Sequence, residues 1–153
     1  MIGHWGTCPG LILVYSHLNY IITKYDYDML YVVGPGHGAP AILASVWLEG
    51  SLEKFFPEYS RDTEGLSNLV TRFSTTAGLP RYLVTNQCQK VCADNYSHIN
   101  AETPGAIHEG GELGYALAVS FGAVMDNPDL IVTCVIGDGE AETGPTATSA
   151  SLG

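Results

Sequence analysis

The chain has 153 residues, of which 46% are hydrophobic and 14% charged, and 18 are glycine. This composition is typical of one globular α/β domain of an enzyme and excludes a disordered segment. The formal net charge of −10 argues against a general nucleic-acid-binding protein. It leaves a phosphorylated substrate open, because backbone N–H groups, histidines and a divalent metal can hold phosphate.

No part of the sequence predicts membrane insertion, secretion or a disulfide framework. The longest apolar run, residues 130–136, is far too short to span a bilayer, and the N-terminus lacks the pattern of a signal peptide. Cys88, Cys92 and His98 are poorly spaced for a structural zinc site, since no fourth ligand is well placed. We therefore expect a cytoplasmic protein with reduced thiols at its four cysteines, Cys8, Cys88, Cys92 and Cys134.

Helices and short apolar strands alternate along the chain. Apolar periodicity and glycine or proline boundaries predict helices over 11–24, 39–50, 62–74 and 112–125, and strands over 30–33 and 130–136. This order favours an α/β fold with a mostly parallel sheet flanked by helices. Ligands of such sheets bind beyond the carboxyl ends of the strands. The glycine-rich turns 34–38 and 137–139 follow directly at those ends.

The second of these turns is acidic, in the stretch "VIGDGEAETG". Asp138 lies between Gly137 and Gly139, and Glu140 and Glu142 follow. A carboxylate at a strand end can bind a divalent cation, while the glycines let a diphosphate approach the backbone. An ordinary strand-to-helix turn with Asp138 as the helix N-cap explains the same residues. The pattern alone leaves both interpretations open.

Three histidines lie in glycine-rich surroundings. His37 projects from "GPGHG", His4 stands beside Trp5 in "GHWGT", and His108 comes shortly before Gly110 and a predicted helix. Glycines that open a helix are compatible with an anion site. Taken singly, the patterns favour a surface-turn role for His37 and an N-terminal packing role for His4.

Taken together, the motifs resemble those of phosphoketolases, thiamine-diphosphate enzymes related to transketolase. The matching stretches are "GHWGT", "YDYDMLYVVGPGHG", "WLEGS", "AETPGAIHEGGELGYAL" and "VIGDGEAETGPTAT". The similarity covers about residues 1–80 and 98–148. It implies that 1–153 is a partial N-terminal diphosphate-binding domain of the transketolase-like fold, truncated at both ends.

The resemblance also implies a reaction and its partners. Xylulose 5-phosphate or fructose 6-phosphate is cleaved with inorganic phosphate to acetyl phosphate and an aldose phosphate. The implied cofactors are thiamine diphosphate and Mg²⁺, and the full-length enzyme is expected to be a homo-oligomer, at least a dimer. No nucleic acid or membrane partner is expected. The alternative is a non-catalytic remnant, or a weak Mg²⁺- and diphosphate-binding module without turnover.

Site residues follow from the resemblance position by position. It implies that Asp138 ligates Mg²⁺ and that its neighbours lie on the diphosphate side. A neutral imidazole suits proton transfer near neutral pH, as implied for the active-site histidines. The implied cofactor-binding residues are Gly111, Leu113, Gly137, Asp138, Gly139 and Glu140, and the implied catalytic residues are His4, His37 and His108.

The sequence departs from the family pattern in three places. The asparagines that complete the Mg²⁺ shell in the family would lie beyond residue 153, and the pyrimidine-binding domain is absent. Residues 81–97 interrupt a run that in the family leads from Gly-Leu-Pro almost directly to Glu-Thr-Pro-Gly. We interpret 81–97 as a retained intron, because plausible codons at its ends resemble splice signals and their joining restores Leu-Pro-Ser-His. A genuine surface insertion is the alternative. In either case we expect residues 81–97 to be the least ordered internal segment.

Overall fold

A computed structural model describes residues 4–74, 99, 103–108, 110 and 113–149. The segment 81–97 and Gly111 lie outside the described residues, so their predicted roles stay predictions. Within the described ranges, two strands form a parallel pair, β1 (Met29–Val33) and β2 (Ile131–Val135). Their register pairs Met29 with Ile131 and Val33 with Val135. The predicted α/β class with a parallel sheet flanked by helices is confirmed.

All four predicted helices are present, with some shifted ends. α1 (Thr7–Tyr25) precedes β1, and α2 (Ala39–Glu49), α3 (Leu52–Phe55) and α4 (Thr63–Ser74) follow it. α1 begins four residues before its predicted start, because Pro9 fits the first turn of a helix, where its missing N–H group has no partner to lose. α2 ends at Gly50 in the left-handed conformation, as the sequence predicts.

The C-terminal part of the chain contains α5 (Ala116–Val124), β2, α6 (Asp138–Ala141) and α7 (Gly144–Ser149). α5 begins four residues later than the predicted 112, after Gly114 with a φ of 91°. The Gly114 carbonyl accepts hydrogen bonds from the backbone N–H and the hydroxyl of Thr146, both at 2.9 Å. These tertiary contacts, which the local pattern does not encode, hold Gly114 outside the helix.

The core has two parts, and α2 contributes to both. One cluster joins α2 to α3 and α4 and is made by Leu43, Val46, Leu52, Phe56, Tyr59 and Leu69. The other joins α1, β1 and α2 and is made by Leu11, Val33, Ala39, Ala41, Ile42 and Ile99. α2 is therefore fixed from both sides, and with it the turn that connects it to β1.

β2 is less buried than its apolar sequence predicts. Ile131 is exposed and the other strand residues are half-buried in the described part of the chain. Burial raises the pKa of the half-buried Cys134 thiol. Cys8 and Cys134 are both free thiols. No helix among the described residues is long and apolar enough to cross a bilayer.

Candidate functional site

The two glycine-rich turns lie side by side at one edge of the sheet. Parallel strands end at the same edge, and the Gly34 N–H donates to the Val135 carbonyl at 2.8 Å, which extends the ladder beyond β1. Residues 36–38 then form a single turn of 3-10 helix that leads into α2. The turns 34–38 and 137–139 are thus neighbours, as the parallel topology predicts.

A third glycine segment reaches the same edge. Gly36 packs closely against the main chain of Gly110. A Cβ atom added to Gly36 would overlap that main chain and lie 2.6 Å from the Gly110 carbonyl oxygen. No side chain fits between the two backbones, so both positions require glycine. Gly110 therefore lies directly against the turn after β1, although it is 74 positions from Gly36 in the chain.

His37 and His4 are in contact. Their ring centroids are 4.6 Å apart with an interplanar angle of 61°. The Thr7 hydroxyl shares a hydrogen bond of 2.9 Å with His37 Nε2. The start of α1 thus orients the His37 ring. Sequence reasoning did not single out Thr7, although it lies inside the quoted motif "GHWGT" directly after His4, Trp5 and Gly6.

His108 lies in a different environment. Its Nε2 atom is buried and has no hydrogen-bond partner among the described residues. The ring lines a cavity of about 380 Å³ together with Tyr31, Glu49 and Ser51. Burial raises the pKa of the Tyr31 hydroxyl to about 12, so this phenol stays protonated and neutral at physiological pH. A buried nitrogen without a partner is a group to which a bound ligand can add a hydrogen bond.

The acidic turn presents one carboxylate to solvent and buries another. Gly137 is the N-cap of α6 with extended backbone, and Asp138 is the first helical residue with an exposed side chain. Asp138 therefore does not serve as the N-cap. The space beside Gly139 is open: apart from its own helix and chain neighbours, no described residue has an atom within 4 Å of an added Cβ. Ligand atoms can thus approach this part of the turn.

Glu140 is 1% exposed. Its Oε1 atom accepts hydrogen bonds from the N–H groups of Gly114 and Ala116, and its Oε2 atom accepts one from Gly137, each at 3.3 Å. The glycines before α5 suggested an anion site, and the anion found at the start of this helix is the protein's own Glu140. Leu113, the other described residue of that segment with an implied cofactor contact, is 49% exposed.

The described side chains do not hold a metal ion by themselves. They contain no group of three or more histidine, cysteine, aspartate or glutamate side chains suited to one. Mg²⁺ is commonly held by one or two carboxylates together with waters and the phosphates of a bound ligand. The exposed Asp138 beside open glycine backbone fits that mode of binding.

The amino-acid sequence is similar to that of known proteins over nearly its whole length. The family model described as the XFP N-terminal domain matches residues 1–151. A probable phosphoketolase of Schizosaccharomyces pombe is 64% identical over 149 residues, which are 97% of this chain and 16% of that protein. Probable phosphoketolases of Nitrosospira multiformis and Gloeobacter violaceus are 55% and 52% identical over 97% of this chain, which are 16% and 17% of those proteins.

The chain thus spans about one sixth of the length of these curated relatives. Within that part the identity is far above the level at which a shared family is in question, and the family model covers nearly every residue. The chain belongs to the phosphoketolase family and matches the model of that family's N-terminal domain.

Proposed function

We propose that this chain forms the diphosphate- and Mg²⁺-binding part of a thiamine-diphosphate-dependent phosphoketolase. The proposed reaction cleaves xylulose 5-phosphate or fructose 6-phosphate with inorganic phosphate to acetyl phosphate and an aldose phosphate. The observation that carries the proposal is the meeting of three glycine segments at one sheet edge, beside an exposed carboxylate. Family membership supports the same reaction class.

Asp138 would be the protein ligand of Mg²⁺ in this site. Its position directly after β2 and its exposure suit a cation that also binds phosphate oxygens. A cation is required because the diphosphate and the Asp138 carboxylate are both negatively charged and repel each other unless a cation lies between them. Gly137 and Gly139 would leave the backbone accessible to the diphosphate, and Gly111 and Leu113 would contact the cofactor.

When bound, thiamine diphosphate supplies an electron sink for cleavage of the carbon–carbon bond. The chain's own contribution to the chemistry would come from histidines. His4 and His37 lie in contact, and the hydroxyl of Thr7 fixes the orientation of the His37 ring. We assign these two rings to the substrate hydroxyls and the protons that move with them. His108, whose buried Nε2 has no hydrogen-bond partner in the part of the chain that the structure describes, would be the third such group.

Cytoplasmic location and assembly into at least a dimer are part of the same proposal. Exposed apolar side chains on α5 support assembly, since they form surface that a larger structure would cover. The competing hypothesis is a non-catalytic Mg²⁺- and diphosphate-binding module. Genomic sequence downstream of codon 148 separates the two: a spliceable continuation that encodes the asparagines implied by the resemblance supports the enzyme, and its absence supports the module.

Calorimetric titration with thiamine diphosphate, in the presence and absence of Mg²⁺, tests the site. We expect weak binding that requires Mg²⁺ and falls at least about tenfold in Asp138→Asn, because that change removes the anionic metal ligand. Asp129→Asn is the matched control, since Asp129 is also exposed but precedes β2 at the other end of the strand. Binding that needs no Mg²⁺, or that survives Asp138→Asn unchanged, would contradict the proposed site.

A further inference from the structure

The most constrained group near the site is a buried carboxylate. Glu140 is among the largest fully buried side chains of the described residues. Burying a charged carboxylate is costly unless hydrogen bonds compensate the lost hydration. Three backbone N–H groups do so here, from Gly114, Ala116 and Gly137. A carboxylate at the N-terminus of α5 is further stabilised by the helix dipole.

These three N–H groups belong to two different segments. Gly137 begins the turn after β2, whereas Gly114 and Ala116 lead into α5, more than 20 positions earlier in the chain. The turn after β1 touches the same carboxylate, because a Cβ atom on Gly34 would overlap Glu140 Oε2. One side chain therefore connects the start of α5 to the turn after β2 and borders the turn after β1.

Asp138 lies inside the segment that Glu140 holds. The Glu140 side chain closes back on the Gly137 N–H, so the two residues that flank the Asp138–Gly139 pair are joined to each other. The Ala141 N–H also donates to the Gly137 carbonyl at 2.9 Å. The backbone of Asp138 is thereby fixed, while its side chain stays exposed.

We propose that Glu140 is a positioning residue that orients Asp138 toward Mg²⁺ and does not itself touch the diphosphate. This inference rests on the proposed function. Both oxygens of Glu140 already accept hydrogen bonds from the protein, and its 1% exposure leaves no surface for a ligand. A second carboxylate facing the diphosphate would also repel it.

The first test is a ligand-free comparison of backbone amide NMR spectra and hydrogen exchange. In Glu140→Gln the amide side chain must turn an N–H group toward one backbone N–H. We therefore expect faster exchange at Gly114, Ala116 and Gly137 and shifted resonances at Asp138 and Gly139. Glu142→Gln is the matched control, because Glu142 is exposed and lies two residues further on. Unchanged resonances at Asp138 and Gly139 in Glu140→Gln would overturn the inference.

The second test is the Mg²⁺-dependent titration with thiamine diphosphate, applied to folded variants. Groups that orient a metal ligand commonly change metal affinity about 10- to 100-fold. We expect a loss of that size in Glu140→Gln and none in Glu142→Gln. A purely structural role would lower the melting temperature and leave the affinity of the folded protein unchanged. A direct contact with the diphosphate would instead make binding tighter once the negative charge is removed. Either result would overturn the inference.

Glu140→Asp keeps the charge and shortens the side chain by one methylene group, so it provides the same readouts if Glu140→Gln does not fold. The two proposals fail differently. Wild-type protein that binds no Mg²⁺ and thiamine diphosphate contradicts the proposed function. Wild-type protein that binds them with the same affinity as the folded Glu140 variants contradicts the positioning role alone.

Discussion

At the scale of single residues, the site depends on places where a side chain is excluded. Gly34 is the clearest case, because it lies between the Val135 carbonyl and the buried Glu140 carboxylate. An added Cβ atom would be 2.7 Å from that carbonyl oxygen. The oxygen belongs to the paired backbone of the sheet and cannot move without breaking the hydrogen bond that Gly34 donates to it.

Gly34→Ala should therefore destabilise the protein by about 1–3 kcal/mol, the usual cost of overpacking a rigid site. The free energy of unfolding in urea measures the change. Gly10→Ala is the control, since Gly10 lies in α1 with nothing within 4 Å of an added Cβ. Alanine there should stabilise the helix by about 0.5–1 kcal/mol. Equal stability of Gly34→Ala and the wild type would show that the turn can relax.

The sequence identifies Gly34 as a turn residue but not the reason for it. The constraint comes from Glu140, more than 100 positions away, and only the pairing of β1 with β2 brings the two together. Asp138 was predictable as a candidate metal ligand, since two glycines flank it in the motif. The burial of Glu140 was not predictable, because it depends on N–H groups of Gly114 and Ala116, which lie more than 20 positions away.

At the scale of elements, α4 shows how a local signal defines a helix start. Asp62 precedes α4, and its Oδ1 atom accepts the Gly65 N–H at 2.8 Å, while the Ser60 hydroxyl donates to Oδ2 at 2.9 Å. These bonds lower the pKa of the Asp62 carboxyl below its ordinary value of 3.8, and the bond from the Gly65 N–H has the largest effect. Since the folded-state pKa is lowered, the ionised form stabilises the folded state.

Asp62→Ala should lower the melting temperature at pH 7, because the α4 start loses its cap. The stabilisation by the ionised carboxylate is complete above pH 3.8 and is lost as the pH falls through the lowered pKa. The difference in melting temperature between Asp62→Ala and the wild type should therefore become smaller in acid. Glu64→Gln, on the first turn of the same helix, is the control and should lower the melting temperature less than Asp62→Ala does. If the difference in melting temperature stays constant from pH 7 to acid, the stabilisation does not come from the ionised Asp62 carboxylate.

The start of α5 shows the opposite situation. Its apolar and helix-forming residues predict a helix from residue 112, yet the helix begins at Ala116. The backbone of Gly114 instead bonds to Glu140 and Thr146, which lie in the last quarter of the chain. Boundaries set by local caps, such as Gly50, are predictable from sequence, whereas boundaries set by distant partners are not.

At the scale of the whole molecule, the chain leaves apolar surface open to solvent. Phe121 and Met125, at the C-terminal end of α5, are 59% and 78% exposed. The curated relatives are about six times longer than the matched segment, and such side chains are typical of a surface that other parts of a protein cover. We therefore expect this apolar surface to be covered in a larger assembly.

We accordingly expect no acetyl phosphate from this chain when it is mixed with xylulose 5-phosphate, inorganic phosphate, Mg²⁺ and thiamine diphosphate. The matched segment is about one sixth of the length of the curated relatives, and the family resemblance implies that further active-site groups lie in other segments. The amount of acetyl phosphate is measured with a colorimetric assay and compared with a blank without protein. A full-length phosphoketolase serves as the positive control. Production above the blank would contradict the expectation.

The pairing of β1 with β2 also has a consequence for biosynthesis. The paired strands are about 100 positions apart in the chain. At a translation rate of roughly 5–20 residues per second, β1 emerges from the ribosome about 5–20 s before the strand that completes it. During that interval the apolar edge of β1 is unprotected and open to chaperones or to neighbouring nascent chains. Because the whole site is built on that pair, its geometry can arise only late, after the slow closure of a long loop.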